Sequence, residues 1–373
     1  MRIAHLVASY HPRIGGVETH VGRLAHGCID AGDDVTVFTH QFDHAPANEL
    51  IGTVRVRRFP LTVNSRTYPL SMSLLHQFRA HAADFDVVHV HSYHTLVGHA
   101  AFGSGLPLVF TPHYHGTGHT RLGVLLHRVY RPAGARLFRA ADAVICVSDA
   151  ERALVLRDFP DVAGKIGTIP NGTDPKSTPP VTAQLPPREP LVLTIGRLER
   201  YKNVDLIIDA FRALRSPARL VVVGDGPDRP RLEQHAESGK SGWPVTFSGR
   251  IADSELDLLL AQAEVVASAS DHEAFGLTLA EGLAAGSRVV ASAIPAHAEL
   301  ARLAGPAAPI TLIDSRDAGK FADSLAAALR AGRVATPDLK LPPWAEVIAD
   351  TRDVYSRVLV RGRRGRSKDI LTR

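Results

Sequence analysis

Two glutamates eight positions apart, Glu273 and Glu281, are the residues of this sequence best suited to bind a hydroxyl-rich ligand. The first stands before a helical pattern that is predicted to begin near Phe275. The second lies among small and apolar residues, where a carboxylate needs a partner. Eight helical residues rise about 12 Å, and each carboxylate accepts hydrogen bonds from vicinal hydroxyls. The pair therefore predicts contacts with two separate parts of one long ligand.

The residues between the two acids predict an anion site. The amides of Phe275, Gly276 and Leu277 stand where the helix is predicted to begin, and the positive end of a helix favours a negative charge. A nucleotide-sugar has the matching layout of sugar, diphosphate and ribose. The ordinary alternative is that Glu273 caps the helix and that Glu281 lies in solvent.

Two cations follow an earlier predicted strand. Arg197 and Lys202 flank the turn after the apolar run 190–196. Charge-assisted hydrogen bonds to phosphate are strong, so the pair predicts binding of a diphosphate. A pair of solvated surface charges is the alternative. The position favours binding, because ligands of parallel α/β sheets lie beyond the carboxyl ends of the strands.

Adjacent glycines, Gly15 and Gly16, precede the first predicted helix. Their backbone amides can approach a ligand closely, and the helix start favours an anion. The segment is not the GxGxxG fingerprint of dinucleotide-binding folds, and no acidic residue about 20 positions later supplies the ribose partner of such a fold. This argues against a nucleotide-dependent oxidoreductase, the nearest other class of enzyme. A plain glycine turn is the alternative for the pair itself.

Short apolar runs alternate with helical patterns along most of the chain. Strand-length runs occur at 2–8, 35–40, 54–59, 86–91, 107–112 and 143–148, and again at 190–196, 218–224, 244–249, 263–269 and 287–292. This alternation predicts parallel sheets covered by helices on both faces. The expected fold is α/β, with two Rossmann-like, doubly wound domains that face a central cleft.

Composition divides the chain into five predicted parts. Its length of 373 residues fits two domains. The parts are an N-terminal, acceptor-side Rossmann-like domain at 1–174, a proline-rich linker at 175–189, a C-terminal nucleotide-sugar-binding domain at 190–340, a helix at 341–360 and a basic tail at 361–373.

Composition also excludes several classes of protein. Hydrophobic residues make up 45% and charged residues 22% of the chain, which are ordinary values for a globular protein. No apolar run reaches the roughly 18 residues of a membrane-spanning helix. The basic residues are not interleaved with aromatic ones as in nucleic-acid-binding modules. The two cysteines, Cys28 and Cys146, are far apart in apolar patterns and predict a reducing, cytoplasmic setting.

Two basic segments raise the question of a membrane contact. Segment 121–139 contains five arginines and no acidic residue, and 361–373 is also basic. Segment 121–139 is interpreted either as a surface for an anionic membrane or lipid phosphate acceptor, or as a surface helix with one core face. A solvated tail is the favoured interpretation of 361–373. Membrane contact would place the protein at the inner face of the membrane.

Several segments together resemble the retaining glycosyltransferases of family 4, which have the GT-B fold. Glu273 and Glu281 match the E-x7-E motif of that family. The other matching segments follow in the family's order: GGVE (15–18), TPHYHG (111–116), ADAVICVS (141–148), IPNGTD (169–174), GRLERYKN (196–203), GDGP (224–227) and SGR (248–250). The resemblance spans nearly the whole chain to about residue 300.

The resemblance implies a role for each matching residue. Arg197 and Lys202 match the diphosphate-binding pair, Glu281 the ribose-binding carboxylate, and Glu273 the acid at the hydroxyls of the donor sugar. The other implied roles are the backbone around sugar and phosphates for Phe275, Gly276 and Leu277, a phosphate-side loop for Gly15 and Gly16, a contact near the sugar's primary hydroxyl for His113, and stacking of the base near Arg250 and Ile251. The family's C-terminal helix returns to the first domain, which suits 344–359.

The resemblance also implies the reaction. A sugar passes from a UDP- or GDP-linked donor to an acceptor hydroxyl, and the anomeric configuration is retained. The acceptor attacks from the face that the diphosphate leaves, and the departing phosphate takes the acceptor proton. No cofactor or metal is implied, because Arg197 and Lys202 neutralise the diphosphate. The acceptor is interpreted as a lipid-linked or polysaccharide precursor, with a small soluble molecule as the alternative.

Three other interpretations stay open at this point. A sugar-nucleotide epimerase would use the same tandem fold and consume no acceptor. A non-catalytic module would bind a nucleotide-sugar without transfer. The histidine-rich stretches HVHSYH (89–94) and HYHGTGH (113–119) are also able in principle to bind zinc, although no cysteine joins them.

Overall fold

A computed structural model of the chain describes residues 1–13, 15–42, 45–65, 68–116, 121–174, 189–215, 217–238, 244–335 and 338–370, without the side chains of 121–126 and 362–370. The chain divides into two compact units, Met1–Gly172 with Trp344–Arg373, and Thr173–Pro343. Of the predicted linker at 175–189, all but Glu189 lies outside the described residues.

The first unit contains an eight-stranded sheet. Its strands are β1 (Arg2–Leu6), β2 (Asp34–His40), β3 (Asn48–Ile51), β4 (Val54–Phe59), β5 (Val87–His91), β6 (Leu108–Thr111), β7 (Ala143–Cys146) and β8 (Ile166–Thr168). They lie in the order β3-β4-β2-β1-β5-β6-β7-β8, and every pair is parallel except β3 with β4. Because β1 and β5 are neighbours, the loops that follow them meet at the point where the strand order reverses.

Helices cover this sheet. They are α1 (Gly16–Asp30), α2 (Met72–Ala80), α3 (Arg121–Ala140) and α4 (Asp149–Asp158). Serines cap two of them: Ser71 accepts from the amide of Leu74 at 3.2 Å, and Ser148 from that of Glu151 at 2.9 Å. The strands carry buried residues on both faces, as expected when helices cover a parallel sheet.

One face of the first sheet contains buried histidines. On the neighbouring strands β1 and β5, His5 stands beside His89, and His91 lies two residues further along on the same face. His20 of α1 packs its ring edge-on against His91 and against His113, which follows β6. The side chains of His5, His20, His89 and His91 are fully or almost fully buried.

The second unit contains a six-stranded, wholly parallel sheet. Its strands are β9 (Leu191–Ile195), β10 (Arg219–Val223), β11 (Val245–Gly249), β12 (Val265–Ser268), β13 (Arg288–Ser292) and β14 (Ile310–Ile313), in the order β11-β10-β9-β12-β13-β14. The helices are α5 (Val204–Arg212), α6 (Arg229–Ser238), α7 (Asp253–Gln262), α8 (Leu277–Ala284), α9 (Pro295–Ala304) and α10 (Ala318–Ala331). The strand order reverses between β9 and β12, so the loops after these two strands lie side by side.

The last helix, α11 (Trp344–Ile370), belongs to the first unit. The hydroxyl of Tyr355 lies 2.7 Å from Nδ1 of His89, and Nε of Arg352 donates to Asp33 at 2.6 Å. The helix continues ten residues past the predicted boundary at 360, because the apolar pattern that set that boundary ends at Val360 while no proline interrupts the basic residues that follow.

The architecture confirms the predicted α/β class. Both sheets are built from strands that alternate with helices, and both are parallel apart from the β3–β4 pair. Among the described residues, no helix combines the length and the apolar character needed to cross a membrane.

The buried histidines predict that the first unit loses stability in mild acid. Burial lowers the pKa of His5 to about 3 and of His20 to about 4, and it lowers the pKa of His89, His91 and His113 well below the ordinary 6.5. Below pH 6.5 the unfolded chain binds protons that the folded chain does not, so stability falls as the pH falls. Each such histidine removes about 1.4 kcal/mol per pH unit.

Unfolding midpoints followed by circular dichroism from pH 8 to pH 5 check this prediction. We expect little change above pH 7 and a steep loss below 6.5. The variant His76→Gln is the control, because His76 is exposed on α2 and should leave the profile unchanged. A flat profile between pH 7.5 and 5.5 would contradict the neutral, buried state of these imidazoles.

Candidate active site

Backbone hydrogen bonds join the loop after β9 to the loop after β12. The amide of Asp271 donates to the carbonyl of Tyr201 at 2.9 Å. The side-chain amide of Asn203 donates to the carbonyl of Ala269, also at 2.9 Å. Asn203 itself has a φ of 47°, a left-handed conformation that asparagine tolerates better than most residues. These bonds bring two distant segments of sequence together at the switch point of the second sheet.

The two joined loops place Lys202 directly against Glu273. Nζ of Lys202 donates to Oε1 of Glu273 at 2.5 Å, and the side chains are only 17% and 21% exposed. Burial lowers the pKa of Lys202, but the charge and hydrogen bond of Glu273 together with Tyr201 outweigh this effect, and the net shift of the pKa is upward. Burial raises the pKa of Glu273. Lys202, His297 and Ser270 lower this pKa by more, so the net shift is downward. Both groups are therefore charged at neutral pH.

Helix α8 begins later than the sequence predicts. Its first residue is Leu277 rather than Phe275, and its N-cap is Gly276 with a φ of +98°. A helix cannot extend back through that conformation, so Glu273 lies in a loop and Phe275 is a buried loop residue. The helical rise of about 12 Å therefore does not describe the separation of Glu273 from Glu281.

No side chain caps the N-terminus of α8 among the described residues. The carbonyl of Gly276 accepts from the amides of Leu279 and Ala280 at 3.0 and 3.1 Å. The first helical amides, at Leu277 and Thr278, begin the turn at its positive end. An uncapped helix start beside the ammonium of Lys202 is suited to an anionic group.

Three glycine loops pack backbone against backbone at the same edge of the sheet. The amide of Gly224 donates to the carbonyl of Gly249 at 2.7 Å, and that of Leu198 donates to the carbonyl of Asp225 at 3.0 Å. A Cβ atom at Gly224 would lie 2.0 Å from the carbonyl oxygen of Gly196. Only glycine permits this approach, which explains the Gly-Asp-Gly sequence without reference to a ligand.

Arg197 and Lys202 line one pocket of the second unit. Its other lining residues include Thr194, Gly196, Ser268 and Ser270. Arg197 is exposed, whereas Lys202 is half-buried. The pocket therefore has two cations of different exposure, both in the loop after β9.

The remaining predicted residues of the second unit are spread along the same edge. Glu281 lies on α8, four residues after Leu277, and is half-buried. Arg250 and Ile251 follow β11, the strand at the far side of β10, and Arg250 is exposed. The predicted residues of the second unit therefore do not form a single cluster. They are distributed after the ends of several strands, an arrangement that suits an extended ligand.

In the first unit, Gly15 and Gly16 begin α1. Gly15 is its N-cap, and a Cβ atom there would lie 2.5 Å from Oε2 of Glu18. Glu18 is almost fully buried and accepts a hydrogen bond from Ser9. Nothing lies within 4 Å of a Cβ atom placed at Gly16. A side chain at Gly15 would therefore displace the carboxylate of Glu18, whereas Gly16 leaves open space.

His113 lies just after β6 in a left-handed conformation with a φ of 46°. Its side chain is 9% exposed, and its Nε2 has no hydrogen-bond partner among the described residues. Burial keeps its pKa well below the ordinary value. The imidazole is therefore neutral at pH 7 and acts as a dipolar group rather than a cation.

The zinc interpretation falls on described and undescribed residues. Ring nitrogens of His5, His89 and His91 lie within 4.8 Å of one another, and so do those of His20, His91 and His113. Residues 117–119 of the second stretch lie outside the described residues. Both ring nitrogens of His89 make hydrogen bonds, Nδ1 with the hydroxyl of Tyr355 and Nε2 with that of Thr111. A zinc ion would have to replace one of these bonds.

Sequence reasoning missed His297. It stands in the first turn of α9, at the carboxyl end of β13, and its side chain is fully buried beside Gly276. Its charge interactions include Glu273 and Lys202. The sequence did contain a signal for it. His297 is a polar residue among the apolar residues that begin the helix after the predicted strand 287–292.

Comparison with known families identifies the class of protein. Residues 14–177 match the family model described as Glycosyltransferase Family 4, and residues 180–336 match the model described as Glycosyl transferases group 1. The chain therefore belongs to the family 4 glycosyltransferases, and it has the GT-B fold with two Rossmann-like domains. The predicted family is confirmed.

Individual relatives agree with this assignment. The chain is 31% identical to D-rhamnosyltransferase WbpZ of Pseudomonas aeruginosa over 309 residues, which cover 79% of this chain and 78% of the relative. It is 35% identical over 180 residues, 45% of each chain, to a GDP-mannose-dependent alpha-(1-6)-phosphatidylinositol dimannoside mannosyltransferase of Mycobacterium tuberculosis. Sucrose-phosphate synthase of Thermosynechococcus elongatus has a similar fold, with a TM-score of 0.77, 24% identity and coverage of 96% of this chain and 99% of that one.

The close backbone packing at Gly224 predicts a large effect of adding one methyl group. Gly224→Ala should cost at least about 2 kcal/mol, because the new Cβ would meet the carbonyl oxygen of Gly196 and the φ of +125° disfavours any side chain. Thermal unfolding measures the effect. Gly164→Ala is the control, since nothing lies within 4 Å of its added Cβ atom, and equal midpoints for the two variants would contradict the packing argument.

Proposed function

We propose that this glycosyltransferase transfers a hexosyl unit from a UDP- or GDP-linked sugar to an acceptor hydroxyl with retention of the anomeric configuration. The observation that carries the proposal is the Lys202–Glu273 pair, held at the switch point of the second sheet beside the uncapped start of α8. The name of the mycobacterial relative, which is GDP-mannose-dependent, supports a nucleoside diphosphate sugar as donor.

In the proposed complex, Lys202 and Arg197 bind the diphosphate. An ammonium has three donors, so Lys202 can keep Glu273 with one of them and reach phosphate oxygens with the others. The amides at the start of α8 add donors without a further charge. These groups surround the diphosphate with positive charge. They therefore stabilise the negative charge that develops on it as the glycosidic bond breaks. For this reason we propose that turnover needs no metal ion.

Glu273 and Glu281 take the hydroxyl groups of the donor. Glu273 is ionised and lies beside Lys202, so it accepts hydrogen bonds from the sugar near the diphosphate. Glu281 accepts from the ribose, and the base lies near Arg250 and Ile251. The family resemblance is the basis for also proposing roles for Gly15, Gly16 and the neutral imidazole of His113.

The chemical step is proposed as attack from the face that the diphosphate leaves. The bond from the anomeric carbon to the phosphate oxygen breaks with both electrons on the phosphate. The acceptor oxygen forms the new bond on the same face, and its proton passes to the departing phosphate oxygen. The side chains of the chain supply orientation and charge rather than a nucleophile.

Turnover of paired variants tests the roles of the two charged groups. Lys202→Met and Glu273→Gln should each lower turnover about 100-fold or more with a donor chosen by thermal-shift screening of UDP- and GDP-sugars. The double variant should regain part of the lost stability, since no charge is left unpaired, but none of the activity. Turnover of wild-type protein should persist in a chelator, and nuclear magnetic resonance should show the donor's anomeric configuration in the product.

Arg200→Met is the matched control, because Arg200 is an exposed cation in the same loop and pairs with Asp228 at 3.0 Å. It should keep wild-type turnover. Recovery of activity in the double variant, or near-normal rates in either single variant, would remove Lys202 and Glu273 from the mechanism.

We propose that the acceptor is a lipid-linked or polysaccharide precursor at the inner face of the membrane. Helix α3 has a core face with Leu137 and Phe138, as the surface-helix alternative predicts. The support for the proposal is its outer face, where Arg128, Arg139 and Val129 are exposed. The name of the mycobacterial relative also includes a lipid, phosphatidylinositol dimannoside. The two free, buried cysteines fit the proposed cytoplasmic setting.

Co-sedimentation with vesicles tests the acceptor side. Binding to vesicles with anionic lipid should exceed binding to zwitterionic vesicles and should weaken in raised salt. Arg128→Ser with Arg139→Ser should lower it several-fold, whereas Arg302→Ser, an exposed arginine of the second unit, should not. Equal binding to both vesicle types would favour a small soluble acceptor.

A further inference from the structure

A fully buried histidine lies directly beneath the turn that begins α8. His297 is in the first turn of α9, and β13, which precedes that helix, pairs with β12. A Cβ atom at Gly276 would lie 3.2 Å from Cδ2 and 3.6 Å from Nε2 of His297. The ring edge therefore fills the space that a side chain at Gly276 would need, and Gly276 has a left-handed conformation with a φ of +98°.

The protonation state of this imidazole is determined by its partner. Nδ1 of His297 lies 2.8 Å from the carbonyl oxygen of Ser292. A carbonyl oxygen only accepts, so Nδ1 carries the hydrogen. Nε2 is buried and has no partner among the described residues. Burial lowers the pKa of His297, so the ring is neutral and Nε2 has a lone pair.

Ser292 links the ring to the loop of Glu273. Its hydroxyl donates to the carbonyl of Ser270 at 2.5 Å, and Ser270 stands in the loop after β12, three residues before Glu273. Two connections thus run from His297 to the same loop, one through the contact with Gly276 and one through Ser292 and Ser270. The loop between these ends contains Glu273 and leads directly into the amides of α8.

We propose that His297 is a positioning residue of the transfer reaction, whose hydrogen-bonded ring holds the Gly276 turn and thereby the placement of Glu273 and of the α8 amides. This inference rests on the proposed function of that site. The ring acts through Gly276 and touches neither donor nor acceptor. Its neutrality matters, because a charged ring would add a second cation beside Lys202 and compete for Glu273.

Three variants separate positioning from simple packing. His297→Phe keeps a ring of similar size but removes the Nδ1 donor. His297→Asn keeps a donor at the δ position for Ser292. Leu300→Val removes volume from the same neighbourhood, since Leu300 also lies 3.7 Å from a Cβ atom at Gly276, and it changes no hydrogen bond.

We expect His297→Phe to lower kcat about 10-fold or more with little change in KM for the donor, because orientation of the sugar and not nucleotide affinity is lost. His297→Asn should keep kcat within about threefold of wild type. Leu300→Val should lower the unfolding midpoint but leave kcat near the wild-type value. Wild-type kcat in His297→Phe, or equal losses in His297→Phe and Leu300→Val, would overturn the proposal.

Hydrogen exchange measured by mass spectrometry tests the same inference without any donor. Amides in peptides spanning 271–280 should exchange faster in His297→Phe than in wild-type protein, and Leu300→Val should leave that segment nearly unchanged. Unchanged exchange in His297→Phe would overturn the positioning role. A failure of the proposed function would instead appear in wild-type protein, as absent transfer from every nucleotide-sugar tested.

Discussion

The hydrogen bonds that join the loop after β9 to the loop after β12, one between backbones and one from the Asn203 side chain, are the constraint on which the candidate site depends. They tie Tyr201 to Asp271 and Asn203 to Ala269, two segments about 70 residues apart in sequence. Because these loops cannot separate, Lys202 and Glu273 are held as a pair in a poorly solvated place. A charge that has lost most of its water must keep a partner, so the pair orders both side chains and leaves the α8 start uncapped beside them.

Close packing of glycine loops extends this constraint along the sheet edge. Gly224 and Gly226 each lie so near the 196–198 backbone that a Cβ atom would come within 2.0 and 2.3 Å of a carbonyl oxygen. The loops after three neighbouring strands therefore form one rigid layer. Rigidity at this edge suits the proposed mechanism, in which fixed donors and charges surround the leaving group.

Neutral imidazoles occupy buried positions in the core of the first unit, where most proteins have aliphatic side chains. His89 bonds to Tyr355 of α11 and to Thr111 of β6, so one ring links the last helix of the chain to the sheet. This arrangement requires that the imidazoles remain uncharged. His113 belongs to the same cluster. Burial lowers its pKa, so its imidazole is also neutral at pH 7.

The sequence by itself determined the α/β class, the family, and the charged residues of the site, because periodicity and motif order are local properties of the chain. It did not reveal the strands β3, β8 and β14, which lie at sheet edges and have at most one buried residue each, so they show no apolar run. The tertiary structure alone decided that α8 begins at Leu277, that the carboxylate of Glu18 lies against Gly15, and that His297 lies beside Gly276. Those features depend on contacts between segments that are separated along the chain or on a single backbone angle, and neither leaves a signal in local residue spacing.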